Sequence, residues 1–206
     1  NQLGEVGAKV HDSLLADYSP VFGVLFRPAE DVQLAMVYRD SSKAVYALPV
    51  KADLGDEFPI PIPLLDLRGI SQFDPGQVSA ELSMRPHPQV LLATSAARVW
   101  WSDFPNPIVY TAVPDDYPPQ PDPEFSDIWV WRLAAEWSGQ MGSTKVALRS
   151  GYIYYPTPTP RQTGLHNYLD NTRQIWSVGL GVEHGVFQIN TGLQLHLLAD
   201  RKHTKK

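Results

Sequence analysis

Apolar side chains recur at every second position through eight separate stretches of this chain, a period that extended strands present to one face. Near the C-terminal end, Phe187, Ile189, Thr191, Leu193, Leu195 and Leu197 alternate with Gln188, Asn190, Gly192, Gln194 and His196. Before them, Trp176, Val178, Leu180 and Val182 alternate with Ser177, Gly179, Gly181 and Glu183, and the short Glu183-His-Gly-Val186 link makes the two runs a hairpin. Trp129, Trp131, Leu133, Ala135 and Trp137 oppose Val130, Arg132, Ala134 and Glu136, and Val146, Leu148, Ser150, Tyr152 and Tyr154 oppose Lys145, Ala147, Arg149, Gly151 and Ile153. Farther upstream, Val78, Ala80, Leu82 and Met84 oppose Ser79, Glu81, Ser83 and Arg85. Leu91, Ala93, Ser95, Ala97, Val99 and Trp101 read as the oily row against Thr94 and Arg98. At the start, Phe22, Val24 and Phe26 turn into Val32, Leu34, Met36 and Tyr38, with Gly23, Arg27, Gln33 and Arg39 on the other side. The reading is about eight strands in four hairpins, each near the roughly 9–11 residues that a tilted membrane strand needs.

Links between these runs alternate in length. Those near residues 28–31, 86–89, 138–143 and 184–186 are short, while those at about 50–72, 104–127 and 156–172 are long, the pattern of a barrel with short periplasmic turns and long outside loops. The long loops are rich in proline, which stiffens them and lets Ile60 to Leu65, Phe104, Tyr110 and Tyr117 be held toward solvent at lower entropic cost. A soluble sandwich or lipocalin-like barrel also alternates, but its outward row is charged and its inward row apolar. Here the charged residues share one row and the other is oily, with Tyr38, Trp101, Trp129, Trp137, Tyr154, Tyr155 and Trp176 near strand ends as an interfacial girdle would be. Composition agrees with a strand-rich chain: 19 prolines and 14 glycines break any long helix, and only 19% of the residues are charged. A formal net charge of -5 offers no field for a phosphate backbone, so no nucleic-acid partner is expected, and the absence of cysteine excludes disulfides and thiolate sites.

The order of pieces resembles the C-terminal part of the FadL/TodX family of outer-membrane transporters. Ala147-Leu-Arg-Ser-Gly-Tyr-Ile-Tyr-Tyr-Pro-Thr-Pro-Thr-Pro160 is similar to that family's strand running into a proline-bearing outside loop, and Tyr168-Leu-Asp170 followed by Ile175-Trp-Ser-Val-Gly-Leu-Gly181 to its next strand. Ser19-Pro-Val-Phe-Gly-Val-Leu-Phe-Arg-Pro28, Val99-Trp-Trp-Ser-Asp-Phe104 and Phe125-Ser-Asp127 resemble three further pieces in order. The resemblance implies an all-β antiparallel transmembrane β-barrel of about fourteen strands when complete, of which these residues supply about eight, corresponding to strands six to thirteen. It implies uptake of long-chain fatty acids or other hydrophobic small molecules across the outer membrane of a Gram-negative bacterium. The family's N-terminal plug and first strands have no counterpart here, and 199–206 read as the start of another extracellular loop, so a partial chain is expected. On this reading 1–18 is a loop or short helical lead-in and 19–198 the partial barrel. The missing strands would come from the same polypeptide or another fragment, since open edges in lipid leave backbone groups unsatisfied. The other partners expected are the lipid or lipopolysaccharide bilayer and components of an envelope complex.

Chemistry is sparse. There is no Gly-x-Ser-x-Gly elbow, no His-Glu-x-x-His and no phosphate-binding glycine loop, and the six histidines are scattered singly. The chain is expected not to be an enzyme and to carry neither cofactor nor metal; a hydrolase built on His196 lacks any supporting serine spacing. For ligand binding, Arg98, Arg132 and Arg149 are expected to converge on a carboxylate, with Trp101, Phe104 and Tyr110 taking an alkyl tail. The competing reading pairs these cations with Glu81, Glu136 and Glu183 in a ladder that stiffens the wall. Passive transport, a non-transporting scaffold or carrier in an envelope assembly, and a soluble lipid-binding β protein are the three functions that the sequence allows.

Overall fold

The computed structural model describes residues 7–10, 13–53, 65–110, 121–161 and 168–202, with side chains described for 17–46, 69–107, 121–161 and 168–202. In chain order the strands are β1 (Gly7–Val10), β2 (Ser13–Ala16), β3 (Val21–Ala29), β4 (Val32–Arg39), β5 (Ser42–Asp53), β6 (Leu65–Asp74), β7 (Gln77–His87), β8 (Val90–Val99), β9 (Ile108–Tyr110), β10 (Ile128–Met141), β11 (Thr144–Tyr155), β12 (Arg173–His184) and β13 (Phe187–Leu198). One short 3₁₀ turn, Trp101–Asp103, follows β8. The architecture is all-β and every pairing is antiparallel.

The chain divides into two units. The larger holds an eight-stranded sheet in the order β13-β12-β11-β10-β8-β7-β4-β3, built from the four hairpins that the alternation predicts. Each hairpin closes through two residues, and in two of them a glycine at positive φ (Gly142, 63°; Gly185, 59°) takes the first place. A positive first central residue followed by a negative one is the type II′ arrangement, whose twist matches that of the flanking strands. The smaller unit is a second sheet, β1-β5-β6-β9, with β2 also pairing β5. Its strands occupy residues expected to be irregular: β1 and β2 lie in the segment read as a loop or helical lead-in, and β5 and β6 run into the long link at 50–72. The glycine in β6 is matched to a ring: Gly69 stands opposite Tyr46 of β5 and lies under its side chain, where any β-carbon would collide.

Register fixes which side chains share a face. From Tyr38 the rungs run to Val78, Arg98 and Trp129, and from Leu133 to Tyr152, Trp176 and Leu195. The oily rows of β3, β4, β7, β10, β11, β12 and β13 therefore form one face, as expected. Strand β8 corrects the expectation. Leu92, Thr94, Ala96 and Arg98 stand with the oily face, opposite Ala135, Leu133, Trp131 and Trp129, while Leu91, Ala93, Ser95, Ala97 and Val99 stand with the polar one. The reason is that both rows of β8 begin apolar, so its alternation has no phase of its own and the neighbours set it.

Of the two faces the polar one is more enclosed. Along β12, Trp176 and Val178 are 51% and 60% exposed, whereas Ser177 and Gly179 are half-buried and Gly181 is buried. The same face carries the small core of the sheet: Ala97, Val99, Ile128 and Val130 are buried near the long-link end, with Trp101, Ile153 and Tyr155 packed against them.

Candidate functional site

The oily face is a continuous exposed surface. Phe22, Val24, Phe26, Met36, Trp129, Trp131, Leu133, Trp137, Leu148, Val178, Leu193 and Leu195 are all exposed on it, and Arg98 is the charged residue that register places among them. Large side chains border shallow hollows there, the larger about 470 Å³ and floored by Thr94, Ala135 and Ser150. Counted along β10, the last aromatic on the oily face moves from the Trp129 rung at β4 (Tyr38) to the Leu133 rung at β12 (Trp176). The turn end moves the same way, from the Ala135 rung at the β3–β4 turn to the Met141 rung at the β10–β11 turn. The oily band thus runs obliquely across the hydrogen-bonding direction, as strands tilted in a barrel wall require.

On the polar face, Arg149 stands directly opposite Glu136 and donates from Nε to Glu136 Oε2 at 2.7 Å. Its Nη1 reaches across the whole of β12 and donates to Asn190 Oδ1 on β13 at 3.0 Å. Gly179 and Gly181 make that crossing feasible: a β-carbon at Gly181 would lie 2.8 Å from Asn190 Oδ1 and 3.0 Å from Arg149 Nη1. Nearer the turns, Lys145 pairs with Glu183 at 3.0 Å across the β11–β12 rung. Such exposed pairs contribute roughly 0–1 kcal/mol each. Two hollows, about 440 and 160 Å³, flank Arg149.

The expected convergence of three arginines does not form. Arg132 and Arg149 share the polar face, two rungs apart, but Arg98 lies on the oily face. There its guanidinium sits 5.7 Å from the Trp129 ring centroid and pairs with Asp127 at 3.0 Å. Arg149 is engaged by Glu136, which is the ladder alternative. Arg132 is exposed and has no ion-pair or hydrogen-bond partner among the described residues. Of the tail-binding candidates, Trp101 packs on the core of the sheet and against Phe125 at 6.1 Å. Phe104 belongs to the smaller unit, where it meets Phe73 edge-on at 5.4 Å. Residues 60–64, Tyr117 and the Tyr110 side chain lie outside the described residues.

At the long-link end, polar groups to which the sequence reading assigned no role hold the connections. Arg201 donates to Thr159 Oγ1 (2.8 Å), the Thr159 carbonyl (2.6 Å) and the Asp170 carbonyl (3.2 Å), fastening the two described ends of the 156–172 link to the segment that follows β13. Phe125 meets Tyr168 at 5.1 Å, and desolvation by burial raises the Tyr168 phenol above its ordinary pKa. Asp127 accepts from the Ser102 amide at 3.0 Å as well as from Arg98. Burial disfavours its charged form, but the Ser102 and Arg98 interactions outweigh that and hold its carboxyl below the usual range. Among the described residues no cluster of three or more metal-ligating side chains occurs.

No family model matches this chain, and no curated protein matches it. Among solved structures, the CymD monoaromatic hydrocarbon channel is similar with a TM-score of 0.47 and 17% sequence identity, covering 85% of this chain and 46% of that one. The chain therefore spans a little under half the length of that channel.

Proposed function

We propose that the eight-stranded sheet is a stretch of an outer-membrane β wall that admits hydrophobic small molecules, long-chain fatty acids among them, from the outside loops to a polar-faced interior. The observation that carries this reading is the sidedness of the sheet: its oily, aromatic-edged face is the exposed one and its polar face the more enclosed one. A water-soluble sheet buries the former and wets the latter, because about 25 cal/mol is gained per Å² of apolar surface removed from water. Hydrocarbon outside and a hydrogen-bonding interior reverse that arrangement. Arg132, open on the polar face, is the group suited to a fatty acid carboxylate.

The test is an oleate titration of the detergent-purified chain and of its Arg132→Ala variant. About tenfold weaker binding in the variant supports the carboxylate role, and equal affinity removes it. A chain that needs detergent yet binds no oleate and no neutral hydrocarbon belongs to the scaffold reading. A chain that purifies without detergent and stays monodisperse is a soluble β protein, and the wall reading is lost.

A further inference from the structure

We propose that Glu136 is a specificity-determining residue, which withdraws Arg149 from carboxylates and leaves the hollow beside it to molecules with an uncharged polar head. The inference rests on the passage reading above and names a cargo class for the hollows beside Arg149, apart from the carboxylate role proposed for Arg132. Arg149 lies over a floor of glycines, with Gly179 and Gly192 on its rung and Gly181 next along β12. The floor leaves space on both sides of the guanidinium, the larger hollow reaching Ser177 and Gln194 and the smaller reaching Gln188 and Asn190. Every charge bordering these hollows has its counter-charge within 3.0 Å: Glu136 on Arg149 and Glu183 on Lys145. What remains for a ligand is hydrogen bonding without net charge.

The two bonds of Arg149 use two of the five N–H donors that a guanidinium carries. A hydroxyl or carbonyl oxygen can accept from the others while both bonds stay in place. A carboxylate cannot do so on equal terms: it must either displace Glu136 or settle beside its like charge. Charge-assisted bonds are about twice as strong as neutral ones, so the same arginine freed of Glu136 would favour the acid. The preference of the hollow therefore turns on a single carboxylate of the wall.

The experiment compares 1-dodecanol and dodecanoate on the full chain in detergent at about pH 8, where a carboxylic acid is ionised. The readout is the ratio of the two affinities. Arg132 is intact in all three proteins, so the prediction lies in the change of that ratio: relative to the native chain, Glu136→Gln is expected to shift it about tenfold toward dodecanoate, and Glu136→Gln/Arg149→Gln to lose that shift. An unchanged ratio in Glu136→Gln, with both amphiphiles still bound, overturns the role of Glu136 and leaves the passage reading standing. Binding of neither amphiphile to any of the three proteins removes both.

Discussion

Gly181 is where an interaction depends on the absence of an atom. A β-carbon there would meet Asn190 Oδ1 at 2.8 Å and Arg149 Nη1 at 3.0 Å, both at the ends of flexible side chains. Gly181→Ala is therefore expected to break the Arg149–Asn190 bond while costing no more than about 1 kcal/mol of stability, the net worth of one such bond. Urea unfolding in detergent, beside the dodecanol affinity, measures both; a loss of several kcal/mol would mean that the strand rather than the side chains had to move. Asp127 gives a pH signature. Its carboxyl sits below the ordinary value of 3.8, so its contribution is present above that value and disappears as the pH falls through the lower folded one. Asp127→Asn should remove this acid-side loss, read from emission of the neighbouring Trp101, and a variant with the same acid limb would clear Asp127 of the effect. At this scale the sequence was only partly legible. Arg132, Arg149 and Glu136 lie on the face that alternation assigns, but Arg98 does not, because Val90, Leu91, Leu92 and Ala93 are apolar on both rows. The Glu136 partner of Arg149 was readable as a ladder pair, but its bond to Asn190 and that of Arg201 to Thr159 were not, since they join residues 41 and 42 positions apart.

The hairpins were legible as elements because each carries its own turn chemistry. Gly142 and Gly185 sit at positive φ, a conformation that costs a side-chain-bearing residue about 1–2 kcal/mol. Gly185→Val should lower stability by about that amount without altering the strand pairing, and a thermal melt in detergent would show an unchanged midpoint if the turn were incidental. Strands β5 and β6 were not legible. Pro49 lies within the first, Gly69 within the second, and the prolines at 59, 61 and 63 between them read as loop. Proline and glycine ordinarily weaken strands, and here the Tyr46 ring over Gly69 supplies the packing the glycine lacks. The 156–172 link has the same character: a proline-rich loop by composition, whose described ends at Thr159 and Asp170 are held by bonds from Arg201. Arg201→Ala should release it, seen as faster proteolytic nicking near residues 156–172 with the strands intact. Unchanged cleavage would show that Phe125 packed on Tyr168 suffices.

For the larger sheet as a whole, the question is what covers the oily face. Four of the six tryptophans, Trp129, Trp131, Trp137 and Trp176, stand on it, each between 40% and 51% exposed. Left in water, side chains of this kind each forgo roughly 1.5–3 kcal/mol of burial. In the proposed wall, acyl chains would remove that surface from water with no protein partner, and the aromatic edges would fit the head-group level. Trp129 and Trp137 are eight residues apart on β10, about 26 Å along a strand and about 20 Å in depth at a barrel's tilt. That nearly spans the apolar band of roughly 25 Å in such a wall, so the two indoles belong close to its opposite edges. In bilayers of brominated phospholipids, most tryptophan emission should accordingly be quenched. In variants keeping only Trp129 or only Trp137, bromines just below the head groups should quench more strongly than bromines at the chain ends. Trp131, one rung inward from Trp129, should respond more to the deeper bromines. If iodide in the aqueous phase quenches all three alike and brominated chains leave them bright, the oily face does not meet hydrocarbon. The polar face could then no longer be the interior of a membrane wall, and the roles of Arg132 and Glu136 would fall with it.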